Sequence, residues 1–187
     1  MKKIKVILSV LMLSALFTSV YAKEKEVIEP VSVKFSASTQ WENQATMQDG
    51  VYNSDGSVTY TSMFKYGGGG YAFNIDGKKG IDLKNYKTIL VEFDYEAVEG
   101  WKDSAKLPKF GIKTWGPGTS FFQGGVGQTY PDADALNGTM TVEVDISAAR
   151  GKALRVGVCS NAWKWVEEGG SEDDKVKITV KEITFLP

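Results

Sequence analysis

Hydrophobic side chains recur at every second position along most of this chain, and that period excludes most folds. In the run Tyr86 to Tyr95, Ile89, Val91, Phe93 and Tyr95 share one phase. Shorter runs repeat the pattern: Val31, Val33 and Phe35; Val58 and Tyr60; Tyr71, Phe73 and Ile75; Phe110, Ile112 and Thr114. Met140, Val142, Val144 and Ile146 follow, then Leu154, Val156 and Val158, and last Val176, Ile178 and Val180. Alternation gives a strand one buried and one exposed face. No stretch sustains a 3.6-residue apolar repeat, and Ser147 to Lys152 offers one short turn at most. Asn53-Ser54-Asp55-Gly56, Asp76-Gly77, Gly116-Pro117-Gly118, Asn137-Gly138 and Gly169-Gly170 punctuate the strands as turns. About eight to ten strands of this kind predict an all-β fold, two antiparallel sheets packed as a β-sandwich of the jelly-roll type.

The first 22 residues read differently. Lys2, Lys3 and Lys5 precede an apolar run from Val6 to Phe17, and Val20-Tyr21-Ala22 has the small residues of a cleavage site. Residues 1–22 are therefore expected to be a signal peptide, 23–30 a charged lead-in, and 31–187 one β-sandwich domain, secreted or periplasmic. The apolar run is too short for a transmembrane span, and with no cysteine near the cleavage point no membrane anchor is expected. Of 22 basic residues the leader holds three lysines, leaving 19 against 23 acidic, a net charge of −4. That balance argues against nucleic acid, whose phosphates need a basic stripe.

Histidine is absent and Cys159 is the one cysteine, read here as a small, partly buried side chain. Most routes to a catalytic metal or an activated nucleophile are thereby closed. Five tryptophans, in contrast, are distributed through the chain. A sugar ring presents a face of C–H groups to an aromatic ring, and its hydroxyls need planar polar partners around the edge.

Three segments carry a likeness to a known kind of protein. Tyr66-Gly67-Gly68-Gly69-Gly70-Tyr71-Ala72-Phe73-Asn74, the run Ile81 to Tyr95, and the ending Val176 to Phe185 resemble the strand and turn pattern of β-sandwich carbohydrate-binding modules from bacterial plant-polysaccharide degradation. The resemblance implies non-catalytic binding of a β-linked polysaccharide on a concave sheet face, association with secreted glycoside hydrolases, and a structural calcium. Such modules usually accompany a catalytic domain, for which this chain has no room.

Strand phase selects the ligand-binding residues. With Ile89 to Tyr95 inward, Glu92 and Asp94 face outward; with Phe110 and Ile112 inward, Lys113 and Trp115 do; with Val156 and Val158 inward, Arg155, Cys159 and Asn161 do. If these strands share a sheet, one face gathers Glu92, Asp94, Lys113, Trp115 and Arg155. Trp163 and Trp165, two residues apart, share a side if extended; they line a groove or one of them plugs the sandwich. Trp101 is placed on a loop tip, Tyr66 beside the glycine run, and Trp41 in a polar loop as a core lid. A neutral glycan held by stacking and such polar groups is expected to bind almost independently of salt.

An enzyme is the rival. Glu92, Asp94 and Glu96 form E-x-D-x-E, which looks like the catalytic strand of lichenase-type β-glucanases, and three carboxylates in a row suit a retaining pair. A structural or adhesive sandwich without a glycan site is a third reading. For calcium the candidates are Asp132 with Asp134, or Asp49 with Asp55, none at the spacing of a dedicated loop.

Overall fold

The computed structural model describes residues 27–33, 38–41, 47–64, 70–74, 80–99, 107–115, 126–129, 131–153 and 155–187. Thirteen strands lie among them: β1 (Val31–Ser32), β2 (Ser38–Trp41), β3 (Met47–Tyr52), β4 (Val58–Met63), β5 (Gly70–Asn74), β6 (Ile81–Asp82), β7 (Thr88–Glu99), β8 (Phe110–Trp115), β9 (Val126–Thr129), β10 (Asn137–Asp145), β11 (Lys152–Ala153), β12 (Arg155–Ser160) and β13 (Lys175–Leu186). An α-helix, α1 (Ala162–Glu167), links the last two, and a single 3-10 turn (Leu83–Asn85) follows β6.

All the pairings are antiparallel. The first sheet runs β10-β7-β13-β4-β3 with β1 against β13, and the second runs β2-β5-β12-β8-β9. β6 and β11 form a small separate pair. The chain crosses from sheet to sheet after most of its strands, and β3–β4 and β8–β9 are the neighbours that stay together.

The alternation read from the sequence is what builds the core. Ile89, Val91 and Phe93 on β7 are fully buried, as are Ile178 and Val180 on β13 and Phe110, Ile112, Val156 and Val158 from the second sheet. Phe110 meets Phe93 edge-on, ring centroids 4.9 Å apart, and so joins the two sheets. Each such side chain contributes about 1.5–3 kcal/mol by leaving water. Two polar contacts also cross the interior: the Tyr60 hydroxyl donates to the Val158 carbonyl at 2.6 Å, and the Ser62 and Ser160 hydroxyls meet at 2.8 Å. Without partners those buried hydroxyls would oppose folding. Asn137-Gly138 differs from its expected role as a turn and opens β10 opposite Glu96 and Tyr95. The Tyr95 hydroxyl lies 3.1 Å from where a Gly138 side chain would start, so glycine leaves room for it.

Helix α1 was not foreseen by a period-2 reading. Gly169 at φ +81° and Gly170 end it, donating from their N–H groups to the carbonyls of Val166 and Trp165, the paired bonds of a Schellman motif. The helix carries Trp165 under the end of the sandwich, 1% exposed and stacked on Phe64 at 5.0 Å. Its indole Nε1–H donates to the carboxylate of buried Asp174 at 2.9 Å and to the Ser171 carbonyl at 3.0 Å. A Cβ on Gly170 would lie 2.1 Å from that indole, which is held by the Phe64 stack and by its N–H. Gly170→Ala is therefore expected to cost about 1–3 kcal/mol. Urea unfolding checks this, and an unchanged midpoint would mean that Trp165 is not fixed there.

Candidate binding face

The face follows from the neighbours of β12. Val156 and Val158 point into the core, so Arg155, Gly157 and Cys159 belong to the outer face of the second sheet. On one side Arg155 pairs with Trp115, Gly157 with Lys113 and Cys159 with Gly111. On the other, Arg155 pairs with Asn74, Gly157 with Ala72 and Cys159 with Gly70. β2 extends two of these rows, Thr39 pairing with Ala72 and Trp41 with Gly70. Directly paired residues share a face. Three rows therefore cross the outer face: Trp41-Gly70-Cys159-Gly111, then Thr39-Ala72-Gly157-Lys113, then Asn74-Arg155-Trp115.

Two properties of this arrangement matter for binding. Its middle is glycine, alanine and cysteine, and Gly111, Gly157 and Cys159 are buried although they lie away from the core. The floor is thus shielded by its surroundings, and small residues let a ligand approach the backbone. Trp41 and Trp115 stand at opposite corners of the rows, three strand steps and four residues apart, on the order of 20 Å.

The sequence reading is corrected at several points. Trp115, Lys113 and Arg155 do share a face, but Glu92 and Asp94 do not join them, because β7 is in the other sheet. Alternation fixes the face of a strand and leaves its partners open. Of the two alternatives left open for the Trp163–Trp165 pair, Trp165 is the plug, since Ala162–Glu167 is a helix, in which residues two apart do not share a side. Asn161, expected to face outward, is 5% exposed. It begins α1, its carbonyl accepting from Trp165 N–H at 3.2 Å while its N–H donates to the Lys109 carbonyl at 2.8 Å. Cys159 is 7% exposed. Trp41, expected as a core lid, lies on β2 in the same row as Cys159. The polar sequence Ser38-Thr39-Gln40 had concealed that strand. For Trp41, Asn74, Lys113, Trp115 and Trp163 the backbone is described and the side chains lie outside the described part; Trp101 and Tyr66 lie outside it entirely.

The opposite outer face, on the first sheet, carries the E-x-D-x-E row. Glu92, Asp94 and Glu96 do line up, and lysines of β13 close over them. Lys181 Nζ lies 2.7 Å from Asp94 and 3.6 Å from Glu92, and Lys177 Nζ lies 2.6 Å from Glu96. Thr139 donates a further hydrogen bond to Asp94 at 2.5 Å. Partial burial pushes the Asp94 carboxyl up, but the bonds from Lys181 and Thr139 outweigh it and hold the group below its ordinary 3.8. A depression of about 390 Å³ beside this row is lined by Asp94, Tyr95, Glu96, Asn137, Lys177 and Thr179, and two of its charges already neutralise each other.

Two of the four acidic residues considered for calcium have other partners. Asp132 pairs at 3.4 Å with Lys109, whose buried ammonium also meets Glu168 at 3.0 Å. Asp55 accepts from the Ser57 N–H and hydroxyl. The Asp49 side chain is outside the described part, and among the described residues no group of three or more His, Cys, Asp or Glu is placed to hold a metal ion.

No protein-family model and no curated protein matches the chain. Among solved structures it is similar to a CBM4 structure, with 12% identity and a TM-score of 0.41 over 82% of this chain and 91% of that one. It is similar to the N-terminal cellulose-binding domain of Cellulomonas fimi β-1,4-glucanase C, with 11% identity and a TM-score of 0.41 over 82% and 92%. A family two carbohydrate esterase from Cellvibrio japonicus gives 16% identity and a TM-score of 0.35 over 85% of this chain and 35% of that one. Likeness at this level assigns no family.

The Asp94 ion pairs make a pH prediction. A carboxyl held below its ordinary value contributes stability above 3.8, and the contribution is lost as pH falls through the lowered folded value. Asp94→Asn should thus destabilise by a constant amount above about pH 5, with the difference from wild type shrinking as both become neutral in acid. Urea midpoints across acidic pH test this, and curves that stay parallel into strong acid would contradict it.

Proposed function

We propose that the chain is a secreted, non-catalytic carbohydrate-binding protein that takes a β-linked polysaccharide chain across the outer face of its second sheet. Its place would be beside secreted glycoside hydrolases that act on the same polymer. The observation that carries this reading is the register that puts Trp41 and Trp115 on one face, with a small-residue floor between them. Indoles separated by on the order of 20 Å suit an extended chain of several sugar rings better than a single sugar. Lys113 in the middle row, and Arg155 and Asn74 in the row of Trp115, offer the planar and cationic donors that ring substituents require. The non-catalytic part of the reading is supported by the lysines that neutralise the carboxylate row. Repeated crossing between sheets supports the jelly-roll form of the sandwich.

Trp115→Ala and Trp41→Ala should each weaken retardation by soluble polysaccharide in affinity electrophoresis by roughly tenfold, since each removes a stacking ring. Both should unfold at the wild-type temperature, because neither strand position faces the core. The wild-type protein should release no reducing ends from any β-glucan in a parallel assay. Wild-type retardation of both variants would overturn the reading, as would hydrolysis that disappears in Glu92→Gln.

A further inference from the structure

The outer face of the second sheet has a fourth row. Ser160 is the last β12 residue paired with β8, opposite Phe110. One step on, the Asn161 N–H still donates to the Lys109 carbonyl at 2.8 Å. Lys109 in turn bridges antiparallel to Asp132, and the Phe110 and Ala133 N–H groups donate to the carbonyls of Pro131 and Pro108 beside it. Phe110 is core, so Lys109 keeps the outward phase of Gly111. The row Asn161-Lys109-Asp132 therefore runs beside the row Trp41-Gly70-Cys159-Gly111, two residues further along β12 and β8.

An outward lysine at the end of a sheet ordinarily carries its ammonium into water. The Lys109 side chain is instead 6% exposed, and its Nζ lies 3.0 Å from Glu168 and 3.4 Å from Asp132. Glu168 directly follows α1, and α1 itself starts from Asn161. One buried ammonium thus closes a ring of contacts, from β8 to the 131–133 segment, to the end of α1, and back through α1 to β12. Stability alone does not call for a charge here, because burying an ammonium costs solvation and an apolar side chain of similar size often serves as well. What the ammonium adds is position. Displacing either carboxylate from it leaves a buried charge short of a partner, so the three segments are held in one arrangement.

We infer that Lys109 is a positioning residue of the binding face, a latch that holds the ends of β8 and β12 together and so fixes the row of Trp41 against the row of Trp115. This rests on the reading that the face binds glycan. Cys159, the one cysteine of the chain and 7% exposed, sits in the row next to the latch and reports on it. With the latch released, the ends of β8 and β12 open locally and the thiol becomes reachable while the core between the sheets stays folded.

The test compares the purified wild type with Lys109→Met, Glu168→Gln, the double variant, and Val144→Ala, a core substitution in the first sheet that leaves the latch alone. Two quantities are read: the rate at which Cys159 reacts with dithiobis(nitrobenzoate) under native conditions, and retardation by barley β-glucan, xyloglucan and galactomannan. Urea unfolding gives the global stability of each variant. Lys109→Met and Glu168→Gln should each raise the thiol rate by about tenfold, the worth of a bond to a charged group, beyond any rise that lost global stability accounts for. Glu168→Gln should add nothing on top of Lys109→Met, because its partner is already gone. Both single variants should weaken retardation, whereas Val144→Ala should keep it and raise the thiol rate only as far as its stability falls. Thiol rates that follow global stability alone, or additive effects in the double variant, overturn the inference while the glycan-binding reading stands. Wild-type retardation in a variant whose thiol has become reactive also overturns it. If the wild type retains none of these glycans, the glycan-binding reading falls and the inference with it.

Discussion

The structure depends on the pairing of β12 between β5 and β8. A strand has a period of two, so a slip of one residue in either pairing would exchange its faces completely. Val156 and Val158 would leave the core, and Arg155 would enter it. The register is secured from inside, by Tyr60 donating to the Val158 carbonyl and by Ser62 meeting Ser160, both reaching across from the first sheet. These bonds sit in a dry interior, where a partner lost costs more than a partner gained is worth. The arrangement of the outer face is therefore fixed by contacts made on the inner one.

That constraint explains how the molecule separates its two surfaces. The outer face of the first sheet is a lattice of ion pairs and hydroxyl contacts, Lys181 with Asp94 and Glu92, Lys177 with Glu96, and Thr59 with Thr179 at 2.9 Å. Partly exposed pairs of this kind add little stability each, but they leave few groups of that row unsatisfied. The outer face of the second sheet is made from small residues, two tryptophans and two cations. Large aromatic residues away from the core have little to gain from folding, and a stacking partner is the simplest use for them.

Much of this was legible in the sequence, and the limits of legibility have physical causes. The long strands β7, β8, β10, β12 and β13 are visible because each carries a period-2 apolar stripe with a buried face. Trp115, Lys113 and Arg155 were placed on one face by phase alone, and the pairing of β12 with β8 agrees. Glu92 and Asp94 were misplaced because outward phase on one strand looks the same whichever sheet the strand joins. The choice between groove and plug for Trp165 stayed open because Asn161 to Trp165 is too short for a helical period to appear. The Gly169-Gly170 pair that terminates the helix was the available signal. Trp41 was hidden by an edge strand of polar residues, in which β-propensity is weak and pairing with β5 decides the structure.

The central claim is that ligand lies on the second sheet and nowhere else, and oxidative footprinting tests it residue by residue. Hydroxyl-radical or N-bromosuccinimide labelling read by mass spectrometry, with and without barley β-glucan, reports each tryptophan separately. The account predicts that Trp41 and Trp115 react in the free protein and are protected by the polysaccharide. Trp165, stacked on Phe64 and bonded to Asp174, should stay unreactive in both. Protection confined to β7, β10 and β13, with Trp41 and Trp115 unchanged, would contradict it.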